Sequence, residues 1–140
     1  MKRRMTADAG QDLIEYALVL PLFFVLILSV IELGVIFYQH NVVVNAAREG
    51  ARTGIVMETT NCPLTCLEGR VRTAARAITA GLDPAMLTID YDWLYPPNAA
   101  PQVRVVVRYE ASLMTKFFIE AVGGDGDVTL ESTATMQREF

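Results

Sequence analysis

From Ala17 to Tyr38 the chain carries one charged side chain, Glu32. As a helix this run is about 33 Å long, enough to cross the hydrocarbon core of a bilayer. That stretch limits the fold more than any average does. Over the whole 140 residues, 52% hydrophobic and 20% charged side chains look globular, but the apolar residues are concentrated at one end. The remainder of the chain is long enough for about one small domain.

Lys2, Arg3 and Arg4 precede the apolar run, and most acidic residues come after it. Positive charge is retained on the cytoplasmic side, so this order predicts a single-pass protein with its N-terminus inside and its C-terminus outside. Cys62 and Cys66 then fall in an oxidising compartment, where they can pair and pin the start of the next helix. Metal binding is the weaker reading, since the only histidine is His40 and there is no second thiol pair. A net charge of -4, with no clustered basic patch, argues against nucleic acid as a partner.

Beyond the apolar run the pattern becomes helical and two-faced. Val43, Ala47, Gly50 and Gly54 recur at three- and four-residue spacing, as do Asn41, Asn45, Arg48 and Arg52. One helix is therefore expected from about Leu13 to Met57, loosened at Pro21, with a membrane span at about 13–38. "ETTNCPLTC" interrupts it, and Thr65 with Glu68 has the spacing of a capping box for a second, amphipathic helix ending near Gly81. After "DPAM" the period becomes two. Leu87 to Trp93 and Val103 to Tyr109 read as a hairpin around "YPPNAAP", and Val128 to Met136 as a third strand. Between the second and third strands, Leu113, Phe117 and Ala121 have helical spacing, closed by Gly123 and Gly124. The fold class is α+β: a long N-terminal helix, then a small antiparallel three-stranded sheet with one or two short helices.

The N-terminal residues also resemble a known pattern. Gly10 with "QDLIEY" after it resembles the prepilin processing site of Flp-type pilins, cut after the glycine with a glutamate at the fifth mature position, here Glu15, and then Tyr16. "LVLPLFFVLILSVIELGVIFY" and "NAAREGAR" resemble the TadE-like family, minor pilins or pseudopilins of tight-adherence pilus systems. The resemblance covers roughly residues 10–55 and includes Glu32, Gly34 and the Ala46 to Arg52 block. It extends more weakly to Met136, Arg138 and Glu139 in the terminal "TATMQREF", with Gln137 inserted. It implies a pilin-like fold, a leader at 1–10, a long helix at 11–57 and an outer domain at 58–140. The implied partners are a prepilin peptidase, other minor and major pilins, an inner-membrane assembly platform and the lipid bilayer. No cofactor is implied.

Several residues have a plain reading beside the implied one. Glycine before the scissile bond leaves the backbone open to a peptidase, and cutting there removes three basic residues and Asp8. Glu15 then lies one turn from the new amine of Gln11, at the positive end of the helix dipole, and either snorkels at the interface or meets a neighbouring subunit's N-terminus. Glu32 within the span costs about 2–3 kcal/mol at mid-depth. It is either a protonated or outward-snorkelling side chain or a bond to a partner helix. Ala46, Ala47, Gly50, Ala51 and Gly54 permit close backbone approach, by another subunit or by the chain's own sheet. Arg48 and Arg52 are a solvated face or part of that contact, and Phe117 with Phe118 are core or a partner patch.

An enzyme is disfavoured, because no nucleophile, base and orienting group, phosphate loop or metal cluster is evident; Asp90, Asp92, Asp125 and Asp127 read as solvated. The leading expectation is a minor pilin that is cleaved after Gly10 and packs into a tight-adherence pilus supporting surface attachment, located in the inner membrane and then in the filament. The alternative is an uncleaved, membrane-anchored binding module.

Overall fold

The computed structural model describes residues 8–58, 64–94, 96–97 and 100–137. A helix α1 (Asp8–Glu58) runs without interruption through Pro21, and at 51 residues its axis is about 77 Å long. It is one of the elements of the C-terminal domain as well as its stalk. Next come α2 (Leu64–Ile78), a 3-10 turn (Pro84–Met86), β1 (Leu87–Leu94), β2 (Gln102–Ser112), α3 (Lys116–Ala121) and β3 (Asp127–Gln137). The fold is α+β, with a long apolar helix leading into a three-stranded antiparallel sheet and short helices.

The sheet is a meander in the order β1-β2-β3. Its register stacks the alternating apolar residues on one face: Ile89 opposes Val107, Tyr91 opposes Val105, and Val105 opposes Ala134. Opposed residues point the same way, so the period-two pattern of each strand closes into one surface. On the other face, Arg108 of the central strand reaches both neighbours, with its Nε 2.7 Å from Glu131 and its Nη1 3.1 Å from Asp90. Hydrogen bonding to Glu131, the attraction of its charge and then that of Asp90 raise the Arg108 pKa above its ordinary value. These exposed pairs contribute register more than stability.

The apolar face is covered by α1 and α2. Val43, Val71, Val103, Val105 and Val107 are fully buried, each worth about 1.5–3 kcal/mol relative to exposure. Ala46, Ala47 and Ala51 of α1 are also fully buried in this core. Close approach is possible because α1 presents almost no side-chain volume here. A Cβ on Gly50 would lie 3.2 Å from Val105 Cγ1, and one on Gly54 would lie 3.0 Å from Val103 Cγ1. Of the two partners this spacing suits, another subunit or the chain's own sheet, the fold supplies the chain's own β2 together with α2.

α2 begins at Leu64, so Thr65 is the second helical residue and not the cap that the Thr65–Glu68 spacing suggested. Glu68 instead pairs with Arg72 one turn on, at 2.7 Å. Behind α3, Gly123 (φ +90°) and Gly126 (φ +67°) turn the chain back into β3. A Cβ at Gly126 would also sit 2.6 Å from Lys116 Cγ, so the turn needs glycine for space as well as for backbone angle. Lys116 Nζ lies 2.8 Å from Asp127 across that turn, and the hydrogen bond raises the lysine pKa.

Replacing Gly54 with leucine is expected to overpack the interface with Val103 and lower unfolding stability by about 1–3 kcal/mol. Gly34→Ala, at a position with nothing within 4 Å of the new Cβ, is expected to cost nothing. Thermal unfolding of the two full-length variants in one detergent distinguishes a packing role for Gly54 from a general intolerance of glycine replacement in α1.

Candidate functional site

Two stretches of α1 behave differently. From Asp12 to Ile31 every side chain except the half-buried Val25 is exposed. This stretch opens the segment Asp12–Val56, which is long and apolar enough to cross a membrane. From Glu32 onward one face of the helix enters the domain while the other stays open: Ile36 and Gln39 are half-buried, whereas Leu33 and Phe37 are exposed.

Glu32 marks the change. It is 7% exposed, and its Oε1 accepts from the backbone N–H of Thr115 at 3.1 Å, while its Oε2 accepts from the Thr115 hydroxyl. Thr115 is the residue preceding α3, and its own side chain makes no capping bond. The carboxylate of one helix thus satisfies an N–H group at the start of another, where a negative group is favoured. This replaces the sequence expectation for Glu32. In place of an outward-snorkelling side chain or a bond to a partner helix, Glu32 meets a threonine 83 residues away in the same chain. Val35, Gln39, Leu113 and Met114 line a narrow cleft beside the bond.

Strand β2 runs antiparallel to α1 in space, since Gly54 abuts Val103, Gly50 abuts Val105, and Glu32 meets Thr115 just past the strand's end. Helix α2 is antiparallel to α1 as well, and at its far end Tyr38 Oη donates to the Ala80 carbonyl at 3.4 Å. The β2–α3–β3 connection therefore faces the bare half of α1, whereas the β1–β2 connection is at the distant end.

At the N-terminal end of α1, Gly10 is exposed with open space around it, and the Gly10–Gln11 bond lies within the helix; the Gln11 side chain is outside the described residues. Asp12, Glu15, Tyr16 and Val19 share one side of the helix and line a shallow groove. Sequence reasoning passed over Asp12, although its spacing to Glu15 and Tyr16 places all three together. Glu15 and Tyr16 are both exposed, well below the level at which α1 enters the domain.

The block expected to contact other subunits divides. Ala46, Ala47, Gly50, Ala51 and Gly54 pack on the chain's own sheet and α2, the second of the two contacts expected for them. Gly34, Arg48 and Arg52 are exposed. Arg52 makes two bonds to Glu49, at 2.7 and 3.0 Å, which lower the Glu49 pKa and raise that of the arginine. Cys66, at the start of α2, is not a free thiol, and Cys62 lies outside the described residues. Lys2, Arg3, Arg4, Arg138 and Glu139 also lie outside them. Of the aspartates, Asp90 and Asp127 are engaged in ion pairs, and among the described residues no group of three or more His, Cys, Asp or Glu is placed to hold a metal.

Glu32→Ala leaves the Thr115 N–H and hydroxyl without their acceptor, at an expected cost of about 1–3 kcal/mol. Hydrogen exchange of full-length protein in detergent should show the loss as faster exchange through 113–120, with β2 protected as before. Thr115→Val added to Glu32→Ala should cost little more than Glu32→Ala alone, because the hydroxyl bond is already lost with the carboxylate; full additivity would show that the two side chains act separately.

No curated protein and no solved structure matches the chain. A family model does match, over residues 10–52, under half of the chain, and its description is TadE-like protein. The matched segment begins at Gly10, takes in the whole bare stretch of α1 and ends inside the small-residue face, so the likeness to the TadE-like family lies in the helix that both leaves the domain and supports it.

Proposed function

We propose that this protein is a minor pilin or pseudopilin of a tight-adherence pilus system, processed by a prepilin peptidase between Gly10 and Gln11, held in the inner membrane by α1 with its domain outside, and assembled with related pilins through the exposed half of that helix. The observation that carries this reading is the division of α1. Asp12, Glu15 and Tyr16 are placed together at the head of the helix, exposed and far from the core of the C-terminal domain, where a carboxylate is free to meet a cationic group of another helix. The family match over the same segment supports the setting, a Tad pilus system.

The chemistry begins at the helix start. A peptidase acts on extended backbone, so the first turn of α1 must unwind, and Gly10, within that turn, lowers the cost of doing so. Cleavage exposes a new amine one turn from Glu15. In a bundle of such helices the carboxylate of one subunit meets the amine of the next, a pairing that lipid surroundings strengthen. Small-residue packing does not supply the contact between subunits, because the chain uses that face itself. The contact is left to the bare stretch below Glu32 and its apolar side chains.

Purified from its native host, the protein should begin at Gln11; an intact Met1 would overturn the processing step. Glu15→Ala should be cut normally and yet fail to co-purify with partner pilins, since cutting uses the backbone at Gly10 and packing uses the side chain. We also assign a bond between Cys62 and Cys66, the chain's two cysteines, pinning the start of α2. Unfolded but unreduced protein should then take up no maleimide, and reduced protein should take up two equivalents, one for each cysteine.

A further inference from the structure

α3 and its flanks carry the most exposed apolar side chains of the outer domain. Val122 is 87% exposed, Phe117 75% and Met114 74%, with Phe118 beside them. The two phenylalanine rings contact each other edge to face, 5.7 Å between centroids, and turn away from the core. None of these four residues belongs to the core or packs against it. In water this cluster is a liability with no stabilising return.

Its position supplies the return. The Glu32–Thr115 bond fixes the start of α3 beside the point where the bare stretch of α1 ends. From Leu13 to Ile31 the helix rises about 28 Å, close to the roughly 30 Å of a bilayer's hydrocarbon core. On the open face of α1, Leu33 and Phe37 are exposed and apolar, so lipid-compatible surface extends as high as α3 and past it. Met114 shares a cleft with Val35 of α1, so the apolar residues of α3 stand at the height where the lipid-facing surface of the span ends. Charge favours the same occupant by elimination of another attraction: Lys116 is engaged by Asp127, and Glu120 and Asp125 are exposed nearby. Such a patch does not seek anionic headgroups. It seeks the boundary between headgroups and acyl chains, where aromatic and aliphatic side chains enter and carboxylates stay in water.

We infer that α3 is an interfacial foot: Met114, Phe117, Phe118 and Val122 enter the outer leaflet of the membrane that α1 spans, and the Glu32–Thr115 bond sets their depth. The foot holds the domain against the bilayer in the membrane-resident state, and extraction of the subunit lifts it out. This inference rests on the membrane-anchored reading of α1.

The test uses full-length protein in phosphatidylcholine vesicles, with phospholipid brominated either near the headgroup or near the acyl-chain end. Two single variants are compared with the parent, whose only tryptophan is Trp93. Phe117→Trp is expected to add blue-shifted emission that is strongly quenched by bromine near the headgroup and weakly by bromine near the chain end. Phe24→Trp, in the middle of the span, should show the opposite preference. Suppose the indole of the Phe24→Trp variant is quenched by deep bromine, while that of Phe117→Trp is quenched by neither lipid and emits like a water-exposed indole. The foot is then overturned and the anchor stands. If the added indole of Phe24→Trp is not quenched, the membrane reading itself fails. Blue-shifted, unquenched emission from Phe117→Trp that loses its shift on dilution of protein among vesicles assigns the patch to a second copy and likewise overturns the inference.

Discussion

The structure depends on the close contact between the small-residue face of α1 and the valines of β2. With alanine or glycine at 46, 47, 50, 51 and 54, the helix axis comes near enough to the sheet for Val103, Val105 and Val107 to be fully enclosed. A three-stranded sheet with one apolar face must bury that face against another layer, and a long apolar helix has no interior of its own. Each supplies what the other lacks. The same helix is therefore stalk and core, and a disturbance at one end can reach the other without crossing a flexible joint.

That economy limits where another molecule could pack against α1. In a helix free along its length, a stripe of alanine and glycine is the natural place for a second helix to pack. Here the stripe is already filled, and what remains for other molecules is the bare stretch below Glu32 together with the open side of Leu33 and Phe37. Glu32 divides these regions. Its bond to Thr115 places a polar group at the edge of an apolar segment without leaving it unsatisfied, and it ties the descending end of the sheet to the helix at a defined height. The outer face of the sheet is held separately, through Arg108 and its two carboxylates, and does not enter the core.

Much of this was legible in residue order. The alternation in Leu87 to Trp93, Val103 to Tyr109 and Val128 to Met136 defined three strands and their buried faces, because side-chain direction in a strand has a fixed period of two. Gly123 and Gly124 marked the end of α3 for an equally local reason. Thr65 misled, since a capping spacing is satisfied by any threonine three residues before a glutamate whether or not the helix starts there. Thr115 gave no signal at all. A threonine before a short helix is common, and nothing near it in sequence points to a carboxylate in another element.

The sequence by itself determined that this protein has an apolar helix of bilayer length at its N-terminus, a glycine-led segment like that of processed pilins, and a three-stranded sheet with one apolar face. These are properties of runs and periods, which neighbouring residues define. Only the tertiary structure decided that the alanine and glycine face is consumed internally, that Glu32 caps α3, and that the phenylalanines of α3 stand at the level where the bare helix ends. Those outcomes depend on which surfaces meet across the fold, and a surface of small residues is equally suited to a neighbouring subunit and to the chain's own sheet until the strands are in place.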